Sequence, residues 1–189
     1  MFLCSRFCYT NCVMAFANPT SNLAQFGLAA GLTVADLGAG SGFYTLAAAR
    51  AVGSTGKVYA IEVQKDLLDK VKKEATREGL HNVEVVWGDI EKHAGTHLRD
   101  ESIDRAIISN VLFQAQDKED LVAEAKRILK QNGKALVIDW SDSADISGPD
   151  PKHLVQVPAA RAFFEKKGFT IEGSIQAGAH HYGFIAIKK

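Results

Sequence analysis

From Thr33 onward, short apolar runs alternate with stretches in which apolar residues return every three or four positions. Uninterrupted apolar runs mark strands covered on both faces, and the three- to four-residue step marks a helix with one apolar stripe. The runs predict strands near Thr33 to Leu37, Lys57 to Val63, Val83 to Trp87, Ile103 to Ser109 and Lys134 to Asp139. Helices are predicted over Phe43 to Val52, Lys65 to Glu78 and Lys118 to Lys130, with Gly133 stopping the last. Such alternation is the pattern of an α/β fold, a doubly wound, mostly parallel sheet with helices on both faces.

The end of the chain breaks this rhythm. Gly148-Pro149-Asp150-Pro151 reads as a loop, and a helix follows from about Pro158 to Lys167, with proline suited to its first turn. Two strands, Phe169 to Ile175 and Tyr182 to Ile187, are joined by a link with Gly178, too short for a crossover helix. They predict an antiparallel hairpin. With the sixth strand parallel to the first five, the turn from Gln176 to His181 reaches the edge where the other strands end.

At 189 residues the chain suits one domain, expected over 22–189, with an extension at 1–21 expected to be partly disordered. Lys and Arg balance Asp and Glu, 22 against 22, so no global basic field recruits nucleic-acid phosphates. No apolar run approaches the ~18 residues that a spanning helix needs. Cys4, Cys8 and Cys12 all lie in the extension, spaced unlike a zinc site. The remainder has no cysteine, so no disulfide framework, and a reducing, cytoplasmic location is expected. Met1 to Ala17 resembles a secretory leader, but Ser5, Arg6, Thr10 and Asn11 interrupt it, and a start at Met14 is the other reading.

The densest chemistry lies in Asp36-Leu37-Gly38-Ala39-Gly40-Ser41-Gly42-Phe43, a strand end running into a glycine turn and a helix. Glycines there let backbone approach a ligand closely, and a helix N-terminus offers free N–H groups. A dinucleotide fingerprint needs glycine where Phe43 stands, and an acid at Asp36 suits a cation better than a pyrophosphate. The motif, D-x-G-x-G-x-G, resembles the first motif of class I S-adenosylmethionine-dependent methyltransferases. The resemblance covers roughly Asn22 to Lys189 and implies their Rossmann-like, seven-stranded sheet with its C-terminal antiparallel hairpin. It also implies S-adenosyl-L-methionine as cofactor, held by Asp36, Gly38, Ala39, Gly40 and Gly42.

Open α/β sheets bind ligands at the carboxyl ends of their strands. Glu62, with Val63 beside it, ends the second strand, where a carboxylate can accept from ribose hydroxyls. Gly88, Asp89 and Ile90 follow the third strand and resemble the family's adenine pocket, Asp89 facing the exocyclic amine. Asn110 follows the fourth strand and is expected at the reacting end of the cofactor. Each acid also has a plain reading as a helix cap. His93 and His97 are four residues apart but lack a third ligand, so no metal is expected.

Methyl transfer from a sulfonium is an in-line displacement in which positioning supplies most of the catalysis. The catalytic group is open. Topology brings His180, His181 and Tyr182 to the ligand edge, and with them Trp140, Asp142 and His153 from the loop after the fifth strand. After the fourth strand the chain reads Ser109-Asn110-Val111-Leu112-Phe113-Gln114, unlike the Asn/Asp-Pro-Pro-aromatic motif of amino-group methyltransferases. It is similar in a general way to the ubiquinone/menaquinone-biosynthesis type. Transfer to a small-molecule acceptor is therefore expected, in a site that is open or covered by a second copy or partner subunit. Alternatives are a non-catalytic S-adenosylmethionine-binding subunit and a methyltransferase acting on protein or RNA.

Overall fold

A computed structural model describes residues 17–142 and 148–189. The three cysteines, the leader-like stretch and Met14 lie outside the described residues. Strands β1 (Thr33–Leu37), β2 (Lys57–Glu62), β3 (Val83–Trp87), β4 (Ile103–Ser109) and β5 (Leu129–Trp140) alternate with helices α2 (Phe43–Val52), α3 (Lys65–Arg77) and α4 (Lys118–Ile128). Helix α1 (Pro19–Phe26) precedes them. A 3₁₀ turn (Pro151–His153), α5 (Val157–Lys166), β6 (Phe169–Ile175) and β7 (His181–Lys188) complete the fold.

The seven strands form one sheet in the order β3-β2-β1-β4-β5-β7-β6. β1 to β5 are parallel, and β7 lies antiparallel between β5 and β6. β6 therefore runs with β5, as the closing hairpin requires. Successive side chains of a strand point to opposite faces, so each buried strand feeds two cores. Val34, Ile107, Leu136, Ile138 and Ile185 pack with α1 and α2. Ala35, Ala106, Ile108, Val137 and Phe184 pack with α4 and α5. Among the described residues, no helix is long and apolar enough to cross a membrane.

Two sequence expectations are corrected here. Helix α4 ends at Ile128, not at a stop set by Gly133, and Gly133 lies inside β5. Ile128 and Leu129 are fully buried, and the chain turns extended at Leu129 to pair with Ile103. Tertiary burial of Leu129 thus overrides the helical period. The alternating charges of Lys65 to Glu78 predict an exposed helix face with i,i+4 pairs such as Lys70 with Glu74; in the structure Glu74 instead takes both Nε and Nη2 of Arg77, an exposed pair worth at most about 1 kcal/mol.

Helix α1 was not read from the sequence and straddles the expected boundary at residue 22. Its signals are local: Asn18 caps it by accepting from the Ser21 N–H (3.1 Å), Pro19 starts it and left-handed Gly27 ends it. Leu23 and Phe26 anchor it in the core, and Asn22 Nδ2 donates to Tyr44 Oη (2.8 Å) and to the Ala177 carbonyl (3.2 Å). Too short to be stable alone, it depends on these tertiary contacts.

Candidate functional site

The three turn glycines have different reasons to be glycine. All take positive φ, +78° at Gly38, +52° at Gly40 and +82° at Gly42. A Cβ on Gly38 would stand 2.7 Å from Val111 Cγ2, and one on Gly42 would stand 2.7 Å from Val71 Cγ2. On Gly40 it would meet nothing nearer than the Gly38 carbonyl at 4.0 Å. Gly38 and Gly42 thus serve packing, and Gly40 alone lies beside open space.

Two acids brace this turn. Asp36 is 2% exposed, and its Oδ2 accepts from Thr45 Oγ1 at 2.6 Å. Burial pushes its pKa up to about 6, with the hydrogen bonds from Thr45 working against the rise. Glu62 is 8% exposed; its Oε2 accepts from the Gly40 N–H (3.0 Å), and its Oε1 from the N–H groups of Val63 (2.9 Å) and Gln64 (3.1 Å). A carboxylate offers roughly four lone-pair sites, so a further donor can still be accepted. Glu62 is therefore both a strut joining β2 to the glycine turn and an open acceptor.

After β3, Asp89 Oδ1 accepts from the Glu91 N–H (3.0 Å) and Oδ2 pairs with Lys92 Nζ (3.0 Å). The Lys92 ammonium, then the Glu91 N–H, hold its carboxyl below the usual range. Asp89 closes a turn rather than capping a helix, and Gly88 and Ile90 beside it are buried. His93 and His97 are exposed on the following turns. After β4, Asn110 takes φ +57°, and its Oδ1 is buried with no hydrogen-bond partner. The loop from Val111 to Ala115 is held by Asp139, whose Oδ2 accepts from the Phe113 N–H (3.2 Å) and Oδ1 from the Trp140 N–H (2.8 Å).

The expected acceptor-side residues divide. Trp140 and His181 face each other across β5 and β7, their rings 4.3 Å apart and tilted by 36°. His181 is 6% exposed, and neither ring nitrogen has a partner. Burial, then the neighbouring His180, lowers its pKa to about 4 against the pull of Asp142, so its imidazole is neutral near pH 7. Tyr182 points to the other face, as the strand pleat requires, and stacks on Phe184 in the core under α4 and α5. His180 Nδ1 pairs with Asp142 Oδ1 at 2.7 Å, outside the cleft. His153 is exposed and borders a separate depression with Lys118 and Lys152.

One cleft of about 1020 Å³ gathers Asp36, Gly38, Ala39, Gly40, Glu62, Val63, Gly88, Asp89, Ile90, Asn110, Trp140 and His181 along the carboxyl ends of the parallel strands. Gly42 lies just behind it, under α3. Ala17, Asn18 and Pro19 at the start of α1, with Tyr44 of α2, border it on the other side. All of its charged side chains among the described residues, Asp36, Glu62, Asp89 and Glu91, are acids, and it contains no Lys or Arg. Among the described residues no group of His, Cys, Asp and Glu is arranged to hold a metal ion.

The comparison with known families decides the assignment. A protein-family model described as Methyltransferase domain matches residues 28–174. The chain belongs to this methyltransferase family. The crystal structure of a SAM dependent methyltransferase from Aquifex aeolicus resembles it with a TM-score of 0.84 and 28% identity, covering 92% of this chain and 91% of that one. Demethylmenaquinone methyltransferase of Staphylococcus aureus is 31% identical over 119 residues, 63% of this chain and 47% of the relative. Arsenite methyltransferase of Halobacterium salinarum is 30% identical over 117 residues, 62% of this chain and 29% of the relative. The chain thus spans less than half the length of these curated relatives. The [4+2]-cyclase SpnF shares its fold alone, with a TM-score of 0.71 and 18% identity.

Proposed function

We propose that this domain binds S-adenosylmethionine in the cleft and transfers its methyl group to a small-molecule acceptor. The observation that carries the reading is the joining, by the Glu62–Gly40 hydrogen bond, of a glycine turn to a cleft whose charged lining among the described residues is all acidic. That charge pattern suits a ligand bearing an ammonium and a sulfonium and repels a pyrophosphate. The open space beside Gly40 fits a ligand passing close to backbone.

When bound, the cofactor supplies a methyl group on positively charged sulfur. Glu62 has acceptor capacity for a ribose hydroxyl, Asp89 and Ile90 hold the adenine, and Asp36 contributes negative potential beneath the turn. Asn110 and His181 face the reacting end, where the domain's task is to orient the acceptor and exclude water. We place this activity in the cytoplasm, because residues 13–189 hold no cysteine for a disulfide. The absence of basic lining argues against RNA and against acidic protein segments as acceptors.

Calorimetric titration with S-adenosylmethionine, S-adenosylhomocysteine and NAD, run in parallel, tests the reading. The first two are expected to bind and NAD to fail. Preference for NAD would overturn it.

A further inference from the structure

The wall formed by Trp140 and His181 is built as if for a particular kind of molecule. Four buried polar atoms of residues that border the cleft have no hydrogen-bond partner: Nδ1 and Nε2 of His181, Oδ1 of Asn110 and Oγ of Ser109 beside it. Folded proteins pair nearly all such atoms, because each one left unpaired costs on the order of 1–3 kcal/mol. These residues border the same cleft, so a ligand there can supply the missing partners.

The chemistry of these atoms restricts that ligand. A neutral imidazole offers one N–H donor and one acceptor nitrogen, the Ser109 hydroxyl one donor and two acceptor lone pairs, and the Asn110 oxygen acceptance only. Acceptor sites are thus in excess, and the ligand must bring a hydrogen-bond donor. The indole and imidazole rings pack against each other at a 36° tilt, and with the Tyr44 ring they give the cleft an aromatic lining. The nearby cations are turned elsewhere, Lys65 over the Trp87 ring and Lys92 onto Asp89, and among the described residues no Lys or Arg borders the cleft to compensate a carboxylate or phosphate. An anion taken out of water here would have no partner, and the acids at Asp36 and Glu62 would repel it.

We propose that the Trp140–His181 end of the cleft is an acceptor subsite for an uncharged, planar molecule carrying a hydroxyl or ring N–H, with His181 and Asn110 as the specificity-determining residues. This inference rests on the cleft being the S-adenosylmethionine site and names the class of acceptor beside it. His181 receives the donor hydrogen and orients the heteroatom lone pair along the cleft, and Trp140 sets the plane of the ring.

The test uses the full-length chain saturated with S-adenosylhomocysteine, so that the adenine end cannot take up the probes. Three probes differ only in the polar group: naphthol donates, methoxynaphthalene only accepts and naphthoate is an anion. In calorimetry naphthol is expected to bind roughly tenfold more tightly than either of the others. His181→Phe, which keeps a ring against Trp140, is expected to bring naphthol down to the affinity of methoxynaphthalene while S-adenosylhomocysteine binds as before. His181→Gln keeps a donor and an acceptor and is expected to retain the preference. Should His181→Phe melt early, His181→Leu provides a second apolar replacement.

Naphthoate binding as tightly as naphthol, equal affinities for naphthol and methoxynaphthalene, binding of none of the three, or an unchanged preference in the apolar variants would each overturn the subsite. A wild-type chain that fails to bind S-adenosylhomocysteine overturns the cofactor reading instead, and this inference with it.

Discussion

Thr45 Oγ1 donates to Asp36 Oδ2 at 2.6 Å, tying the first turn of α2 to the penultimate residue of β1 with both side chains buried. The hydroxyl is thus the nearest compensation for a carboxylate that burial disfavours. Thr45→Val keeps the shape and removes the donor. It is expected to lower stability by about 1–3 kcal/mol, read from the urea midpoint, because the buried acid then keeps only the Thr45 backbone hydrogen bond against its desolvation. A midpoint unchanged from wild type would show that the Asp36 carboxyl is satisfied elsewhere.

The pH dependence of stability follows from the same burial. Asp36 and Asp139 are both raised to about 6 by burial. A raised folded value means that the contribution is full below the unfolded carboxylate value, near 4, and is lost as pH rises through about 6. Glu124 has the opposite sign: burial opposes its ionisation, but hydrogen bonds from Arg127, Thr96 and Ala94 outweigh it and hold the value at about 2. Its contribution is present above the unfolded value and is lost as pH falls toward about 2. Asp36→Asn is therefore expected to flatten the fall in unfolding free energy between pH 4 and 7, measured by urea titration at several pH values. Parallel curves for variant and wild type would refute the assignment.

The two kinds of turn glycine separate by mutation. Gly40→Val meets open space, so it is expected to stay folded, at a cost of roughly 1–2 kcal/mol for its positive φ, and to lose S-adenosylmethionine binding. Gly42→Ala drives a Cβ against Val71 and is expected to lower the melting temperature, with Val71→Ala relieving part of the loss. Thermal melts with calorimetry in parallel distinguish the pair. Unchanged affinity in Gly40→Val would remove the turn from the site.

Glu124 is the hub of the segment that follows the Asp89 turn. Fully buried on α4, it accepts from the N–H groups of Ala94 (2.9 Å) and Thr96 (3.1 Å), from Thr96 Oγ1 (2.6 Å), and from Arg127. Glu124→Leu leaves the Ala94 and Thr96 donors without their acceptor and takes from the Arg127 guanidinium one of its two carboxylates, Asp100 being the other. The expected loss is about 3 kcal/mol, with faster amide exchange at Ala94 and Thr96. Unchanged exchange at those amides would show that the loop is held by other contacts.

How much was legible can be read residue by residue. The five parallel strands and the closing hairpin follow from apolar periodicity and a short link, both local properties. The Asp36 to Gly42 turn is legible because its demands on backbone are met by glycine at fixed spacing. Helix α1 was missed although Asn18, Pro19 and Gly27 carry its signals, because the segment falls before the alternation that organises the rest. The end of α4 was misplaced because Leu129 continues the helical period yet is needed in the sheet.

The sequence by itself determined the order of strands and helices, the glycine turn and the acids at Asp36, Glu62 and Asp89, since these depend on periodicity and on the backbone freedom of single residues. Tertiary structure alone decided that Gly40 faces open space while Gly38 and Gly42 face Val111 and Val71. It also decided that His181 turns to the cleft while Tyr182 turns to the core, and that Glu62 braces the turn from 22 residues away. The reason is physical: which face of a strand meets a cleft depends on register with its neighbours, and register is a property of the assembled sheet.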